Sequence, residues 1–254
     1  MSYLNIKDFR DFEFDATRRT FTGTVDPIHN SALQLANSSG VEADIWIGTG
    51  NLSWLSAATP LSIVSSAITD TSAGAGARTI IISGLDFSLN PISESVTLSG
   101  TTPAITINSY FRLQRAYINL CGTYSGTNLG IITIQAVSDS TVQGIIPIGF
   151  GRIAKSHYTV PAGKKLLLRT ISMISESSKP STFKLYLKGA LPSTGGSYIA
   201  KQLGLVFAGV TGEYTENIAY EPNLGAGIDI WGTVTPSANN TAISMNYQAL
   251  VVTA

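Results

Sequence analysis

TSAGAGARTIIISGLDFSLNPISESVTLSGTTPAIT, running from Thr71 to Thr106, is the stretch that constrains the rest of the chain. It reads as a β-hairpin. Thr79 to Ser83 is a β-branched run, Gly84 to Pro91 carries the Gly, Asp, Asn and Pro of a turn, and Ser93 to Leu98 alternates polar and apolar residues until Gly100 ends it. Side chains alternate across a strand, so Val96 and Leu98 share a face, which predicts one buried side and one wet side. The wet side is Ser and Thr, not Lys and Glu, and it suits packing against neighbours better than repelling them.

Similar text continues on both sides. Strands are expected at Ala43 to Ile47, Pro60 to Ser66, Tyr110 to Leu120, Gly130 to Ala136 and Gly144 to Ile148, separated by Gly-rich turns such as Gly122-Thr123-Tyr124-Ser125-Gly126. Lys165 to Ser175 puts Leu166, Leu168, Thr170, Ser172 and Ile174 on one face and Leu167, Arg169, Ile171 and Met173 on the other, so both faces should be partly covered. Thr182 to Lys188 turns Phe183, Leu185 and Leu187 inward and Lys184, Tyr186 and Lys188 outward. Further strands are read at Tyr198 to Val206, Gly227 to Val234 and Ala242 to Val252. No window keeps a 3.6-residue period over three turns. The expectation is an all-β chain with little helix: a β-sandwich of jelly-roll type over 41–254, divisible near residue 150. A repeat of roughly 20 to 50 residues is absent, which speaks against a propeller.

The hairpin also carries a resemblance. Gly76-Ala77-Arg78-Thr79-Ile80-Ile81-Ile82-Ser83-Gly84-Leu85-Asp86, followed by Ser93-Glu94-Ser95-Val96-Thr97-Leu98-Ser99-Gly100-Thr101-Thr102-Pro103, resembles a phrase of tailed-phage virion structural proteins. Tyr158-Thr159-Val160-Pro161-Ala162-Gly163-Lys164 is similar to a strand opening in that family. Ile228-Asp229-Ile230 with Ala238-Asn239-Asn240-Thr241 resembles its C-terminal ending. The family's ending often has an Arg after the Asp-Ile-x motif, where this chain has Trp231 and Gly232. The likeness covers roughly Ile45 to Val252. It implies a capsid cement or decoration β-protein, with a tail, baseplate or fibre protein that binds host glycans as the competing reading.

Composition narrows the function classes. Of 254 residues, 44% are hydrophobic and 13% charged, about half the charge usual for a soluble domain. Sixteen basic and sixteen acidic residues cancel, so the clustered cation excess that nucleic-acid binding requires is missing beyond Arg18-Arg19 and Lys164-Lys165. The first residues show no signal-peptide pattern, no apolar run reaches the ~18 residues of a membrane span, and a lone Cys121 forms no intrachain disulfide. These features suit synthesis in a bacterial host cytoplasm.

Candidate chemical motifs read mostly as architecture. Gly74-Ala75-Gly76-Ala77 leads into a strand and lacks a Gly-Lys-Ser/Thr ending, so it reads as a plain flexible loop instead of a phosphate cradle. His29 and His157 have no second ligand at metal spacing, so no metal or cofactor is expected. Cys121 reads as a small buried hydrophobe and His157 as an ordinary hydrogen-bonded or exposed ring; no Gly-x-Ser-x-Gly occurs, and no catalytic residues are assigned. Glu94 reads as an ion-pair partner of Arg78 across the hairpin. Trp46, Trp54 and Trp231 read as packing residues, with a sugar-stacking platform as the alternative.

The N-terminal segment differs from the rest. Met1 to about Gly40 concentrates charge among apolar residues without helical period, and it reads as an extended arm anchored on partner subunits by Phe9, Phe12, Phe14 and Phe21. Low charge and Ser/Thr-covered strands point to a homo-oligomer, a trimer, and the charge balance to no nucleic-acid partner; the resemblance implies a place in the virion against the major capsid protein or other virion proteins, with no membrane.

Overall fold

The computed structural model describes residues 25–34, 37–48, 50–176, 178–190, 200–218 and 223–253, and every helix or strand among them is a strand. The chain begins with β1 (Val25–Gln34) and β2 (Ala43–Asp44). It then runs through β3 (Leu61–Ser65), β4 (Ala77–Leu85), β5 (Pro91–Thr97), β6 (Ala104–Ile105), β7 (Arg112–Cys121), β8 (Ile132–Ala136) and β9 (Val142–Ile146). It finishes with β10 (Tyr158–Thr159), β11 (Lys164–Ser175), β12 (Ser181–Gly189), β13 (Gln202–Val210), β14 (Gly212–Asn217), β15 (Asn223–Leu224), β16 (Ile228–Pro236) and β17 (Ile243–Thr253).

These strands make four antiparallel sheets. The first has the order β1-β17-β11-β14 with β15 beside β11, and the second β10-β16-β12-β13 with β2 beside β16. The third is β6-β3-β8-β9 and the fourth β5-β4-β7. The sheets are set like blades of a four-bladed propeller, although the sequence carries no repeat, and they bury their apolar faces in pairs. Leu166, Leu168, Ile171, Met173 and Tyr247 of the first sheet pack on Phe183, Leu185, Ile230 and Val234 of the second. Leu61, Ile63, Ile132, Ile134 and Ile146 of the third pack on Ile80, Ile82, Val96 and Leu113 of the fourth. Each such side chain contributes about 1.5–3 kcal/mol by leaving water. Each pair of neighbouring blades thus forms a sandwich around its own core, the second pair inserted between β2 and β10 of the first, and the single jelly roll expected from the strand spacing is not seen.

The hairpin stands as read: β4 and β5 pair antiparallel from Thr79↔Thr97 to Leu85↔Pro91, and Val96 and Leu98 are buried. The inward residues of β12 also stand, with Phe183 and Leu185 buried and Leu187 packed on the same core. Other expectations are corrected. The arm does not extend to residue 40, because β1 pairs with β17 over its whole length, Val25↔Val252 to Gln34↔Ile243. Its Pro27 hid the strand from the sequence reading, yet Pro is tolerated where a strand lies at a sheet edge. Phe9, Phe12, Phe14 and Phe21 lie outside the described residues. In β11 a bulge between Leu168 and Thr170 switches faces, so Leu166 and Leu168 share the core with Ile171 and Met173 while Ile174 is turned outward.

Candidate functional site

Polar chemistry concentrates first at the seam between the sandwiches. Arg112 leaves β7 and meets Asp229 on β16. Its Nε donates to Oδ1 and its Nη2 to Oδ2, each at 3.1 Å, with both side chains buried. Nη1 donates to the Leu55 and Phe111 carbonyls, both at 2.9 Å. Thr159 on β10 adds a hydroxyl donor to Asp229 Oδ1 at 2.5 Å. The guanidinium lies 3.8 Å from the Phe111 ring centroid and 4.9 Å from that of Trp54. A buried charge is tolerated only when paired and hydrogen-bonded in this way.

All three phrases behind the resemblance meet here. Thr159 and Asp229 come from two of them, and the hairpin turn supplies Leu89, whose carbonyl accepts the Ala162 N–H at 2.9 Å. Leu89, Leu85, Phe111 and Ala190 form a small core of their own, with Ala58 and Ala162 packed against it. The Asp229 carboxylate thus receives its guanidinium from Arg112 of the inserted sandwich. A Cβ on Gly232 would lie 2.2 Å from Met245 Sδ, so a larger residue there would oblige the buried Met245 side chain to shift.

Behind this pair, Asp44 on β2 accepts the Leu52 N–H and the His157 Nε2–H, both at 2.9 Å. His157 is buried, and burial pushes its pKa below the ordinary value despite the opposing pull of Asp44. Its Nδ1 has no hydrogen-bond partner among the described residues. Lys155 is buried too, donating to the Gln143 carbonyl at 3.2 Å. Burial, assisted by Arg112 and opposed by Asp229, lowers its pKa to about 7. The Trp54 ring centroid lies 5.1 Å from that of His157 and 5.6 Å from that of Trp231, which in turn stacks on Tyr186. Trp46 is buried with its indole N–H on the Gly50 carbonyl. Of the three tryptophans, therefore, two converge. Arg112, Lys155 and Asp44 were not singled out in the sequence; the available signal was a charge inside an apolar run, as in Phe111-Arg112-Leu113 and Ala43-Asp44-Ile45.

A second concentration lies at one end of the inserted sandwich. The buried Asp70 carboxylate accepts the N–H groups of Ala77, Leu129 and Gly130 and the Ser65 hydroxyl, at 2.6–2.9 Å. Asn128 Nδ2 donates to the carbonyls of Gly130 and Pro147, and its Oδ1 accepts the Gly151 N–H. The loop Gly74–Ala77 is consequently fitted, not merely flexible, since a Cβ on Gly76 would lie 2.1 Å from Asp70 Oδ1. Around these anchors Ile68, Leu129, Ile131, Ile148 and Phe150 are exposed, and Tyr124 fully so. Residues 122–131 and 147–151 contain no Asp, Glu, Lys or Arg.

The Glu94–Arg78 pair is corrected. Antiparallel register sets Glu94 against Ile82, and its carboxylate accepts the Ile107 and Asn108 N–H groups and the Tyr110 hydroxyl. Arg78 Nε donates to the Gly74 carbonyl at 3.0 Å. Cys121 is partly buried, and burial, then Asp70, pushes its thiol pKa up, away from the reactive thiolate. No group of three or more His, Cys, Asp and Glu able to hold a metal ion occurs among the described residues.

No protein-family model matches the chain, and no curated protein matches it. Weak structural likenesses are to viral capsid proteins. The structure of infectious bursal disease virus Gx strain is 10% identical, with TM-score 0.27, over 91% of this chain and 71% of that one. The T13 particle of the same virus gives TM-score 0.27 and 10% identity over 91% and 69%. Its VP2 subviral particle gives 0.22 and 11% over 90% and 71%. Likeness at this level carries no argument about fold or function.

Proposed function

We propose that this chain is a non-enzymatic structural protein of a tailed-phage virion, a head cement or decoration subunit that stabilises the capsid by burying surface against its neighbours. The observation that carries the reading is the uncharged apolar end built on Asp70 and Asn128. Its exposed side chains are not covered by the described parts of the chain, and patches of this kind mark interaction sites. Buried hydrogen bonds fix the backbone beneath them, so little ordering entropy opposes docking. The three phrases that resemble virion proteins support the same reading, and they lie where the sandwiches are joined.

The partners in this reading are the major capsid protein or other virion proteins. The chain assembles as a homotrimer, without cofactor, nucleic acid or membrane, and it is made in the host cytoplasm before entering the virion. Residues 1–24 remain the arm of this proposal. A tail or fibre location is the second reading, favoured by the convergence of Trp54, Trp231 and Tyr186.

The test is incorporation. Ile148→Asp and Phe150→Asp on the apolar end should leave the melting transition within about 0.5 kcal/mol of the parent, as surface changes do, while lowering the amount of chain in purified virions. Normal incorporation of both variants would overturn the reading. Copy number, counted by quantitative mass spectrometry, separates the locations: roughly hundreds imply a head lattice and a few tens or fewer a tail.

A further inference from the structure

A cleft of about 340 Å³ opens beside the seam, walled by Trp54, Phe87 and Phe111 and by the cations Arg112, Lys188 and Lys201. Its size lies within the roughly 300–1,000 Å³ range of small-molecule sites. Its charge is unbalanced. Arg112 is matched by Asp229, and that carboxylate is already occupied by two guanidinium N–H groups and the Thr159 hydroxyl. Neither Lys188 nor Lys201 forms a salt bridge among the described residues. Both ammonium groups rest near aromatic rings: Lys188 Nζ is 5.1 Å from the Trp54 centroid, and Lys201 Nζ is 3.7 Å from that of Tyr186. Burial lowers the Lys188 pKa, and the charge of Asp229 only partly offsets it.

The apolar half of the cleft is also incomplete. Phe87 stands edge-on to Phe111 with centroids 5.1 Å apart, and half of it is open to solvent. A half-exposed ring beside two cations that form no ion pair among the described residues complements a ligand that has both a C–H face and an anion. A neutral sugar would leave Lys188 with only the charge of Asp229, which Arg112 already engages, and a simple inorganic anion would leave Phe87 uncovered. A nucleic-acid strand would need a longer track of cations than two lysines provide.

We propose that this cleft binds a sugar bearing a carboxylate or sulfate, with its C–H face on Phe87 and its anion at Lys188 and Lys201. The inference is independent of the virion location. Calorimetry and saturation-transfer NMR on the full chain would use N-acetylneuraminic acid and glucose 6-sulfate as acidic probes, glucose as the neutral probe and uridine monophosphate as the phosphate probe. Both acidic sugars should bind, and glucose at least about tenfold more weakly. Lys188→Gln should weaken both acidic sugars about tenfold, and Phe87→Ala should weaken them as well. Lys188→Gln should melt with the parent, because Lys188 has no ion-pair partner among the described residues to lose, and Phe87→Ala should stay folded with a modestly lower melting temperature, because it gives up a half-exposed ring packed on Phe111. The proposal is overturned by equal binding of glucose, by tighter binding of uridine monophosphate, by unchanged affinity in Lys188→Gln, or by no saturable binding of either acidic sugar.

Discussion

Arg112 and Asp229 belong to different sandwiches and form a two-point pair, 3.1 Å at each contact, where the carboxylate is wholly buried and the guanidinium nearly so. Water solvates neither charge, so each depends on the other. Arg112→Met or Asp229→Leu alone strands a buried charge and should destabilise the fold by about 3–5 kcal/mol. The double variant removes both charges and should cost less than the sum of the two. Denaturant titration of the four proteins measures this, and strictly additive losses would show that the two groups are not energetically coupled.

Much of the strand content was legible because the inward residues of β4, β5 and β12 alternate cleanly. The seam was not. Alternation says which side of a strand is apolar but not which sheet will cover it, so nothing in Phe111-Arg112-Leu113 reveals a partner 117 residues away. β1 was hidden by Pro27 and β14 by its polar text, Gly-Glu-Tyr-Thr-Glu-Asn, and both lie at sheet edges, where packing demands least of the sequence. The bulge in β11 defeated a strict two-residue period at a single point.

Stability should rise with pH through neutrality. Lys155 titrates at 10.5 in the unfolded chain and about 7 in the fold, so between those values the unfolded chain holds a proton that the folded chain lacks, and the folded state gains as pH rises. His157, lowered from 6.5, adds a loss of stability on acidification below that value. Tyr110, Tyr158 and Tyr247 are pushed above 10, chiefly by burial, so above pH 10 the unfolded chain releases protons that the fold retains, and stability falls. Melting temperature against pH should therefore peak at about pH 9 to 10. Lys155→Met should be more stable at pH 7 and should flatten the rise; a parent peak near pH 6 would contradict the assignment.

Asp70 gathers four donors from three separated segments. Asp70→Asn would set a donor amide among donors, at about 2–4 kcal/mol, and Gly76→Ala would drive a Cβ into the same carboxylate. Both should also speed proteolysis within 122–131, because Leu129 and Gly130 lose their anchor. Digestion rates equal to those of the parent would mean that Asp70 does not hold this loop.

Truncation separates the arm from the core. Residues 25–34 form β1, with Asn30 Nδ2 donating to the Tyr247 hydroxyl at 2.7 Å and the buried Gln34 donating to the Asp44 carbonyl at 3.0 Å. Residues 1–24 precede this strand and, fully extended, reach up to roughly 80 Å, enough to cross a neighbouring subunit. Phe9, Phe12, Phe14 and Phe21 would each contribute about 1.5–3 kcal/mol on a partner, against about 1–2 kcal/mol per residue ordered. If only about two residues are ordered around each phenylalanine, these terms nearly cancel for one arm, so docking should require several arms of an oligomer engaging together. Deleting residues 1–20 should leave the circular dichroism spectrum and the melting transition unchanged while lowering incorporation into virions. Deleting residues 1–34 should in addition uncover β17 and lower the melting temperature sharply. If the shorter deletion also destabilises the fold, the segment packs on its own sandwich; if it incorporates normally, the phenylalanines are not the anchor.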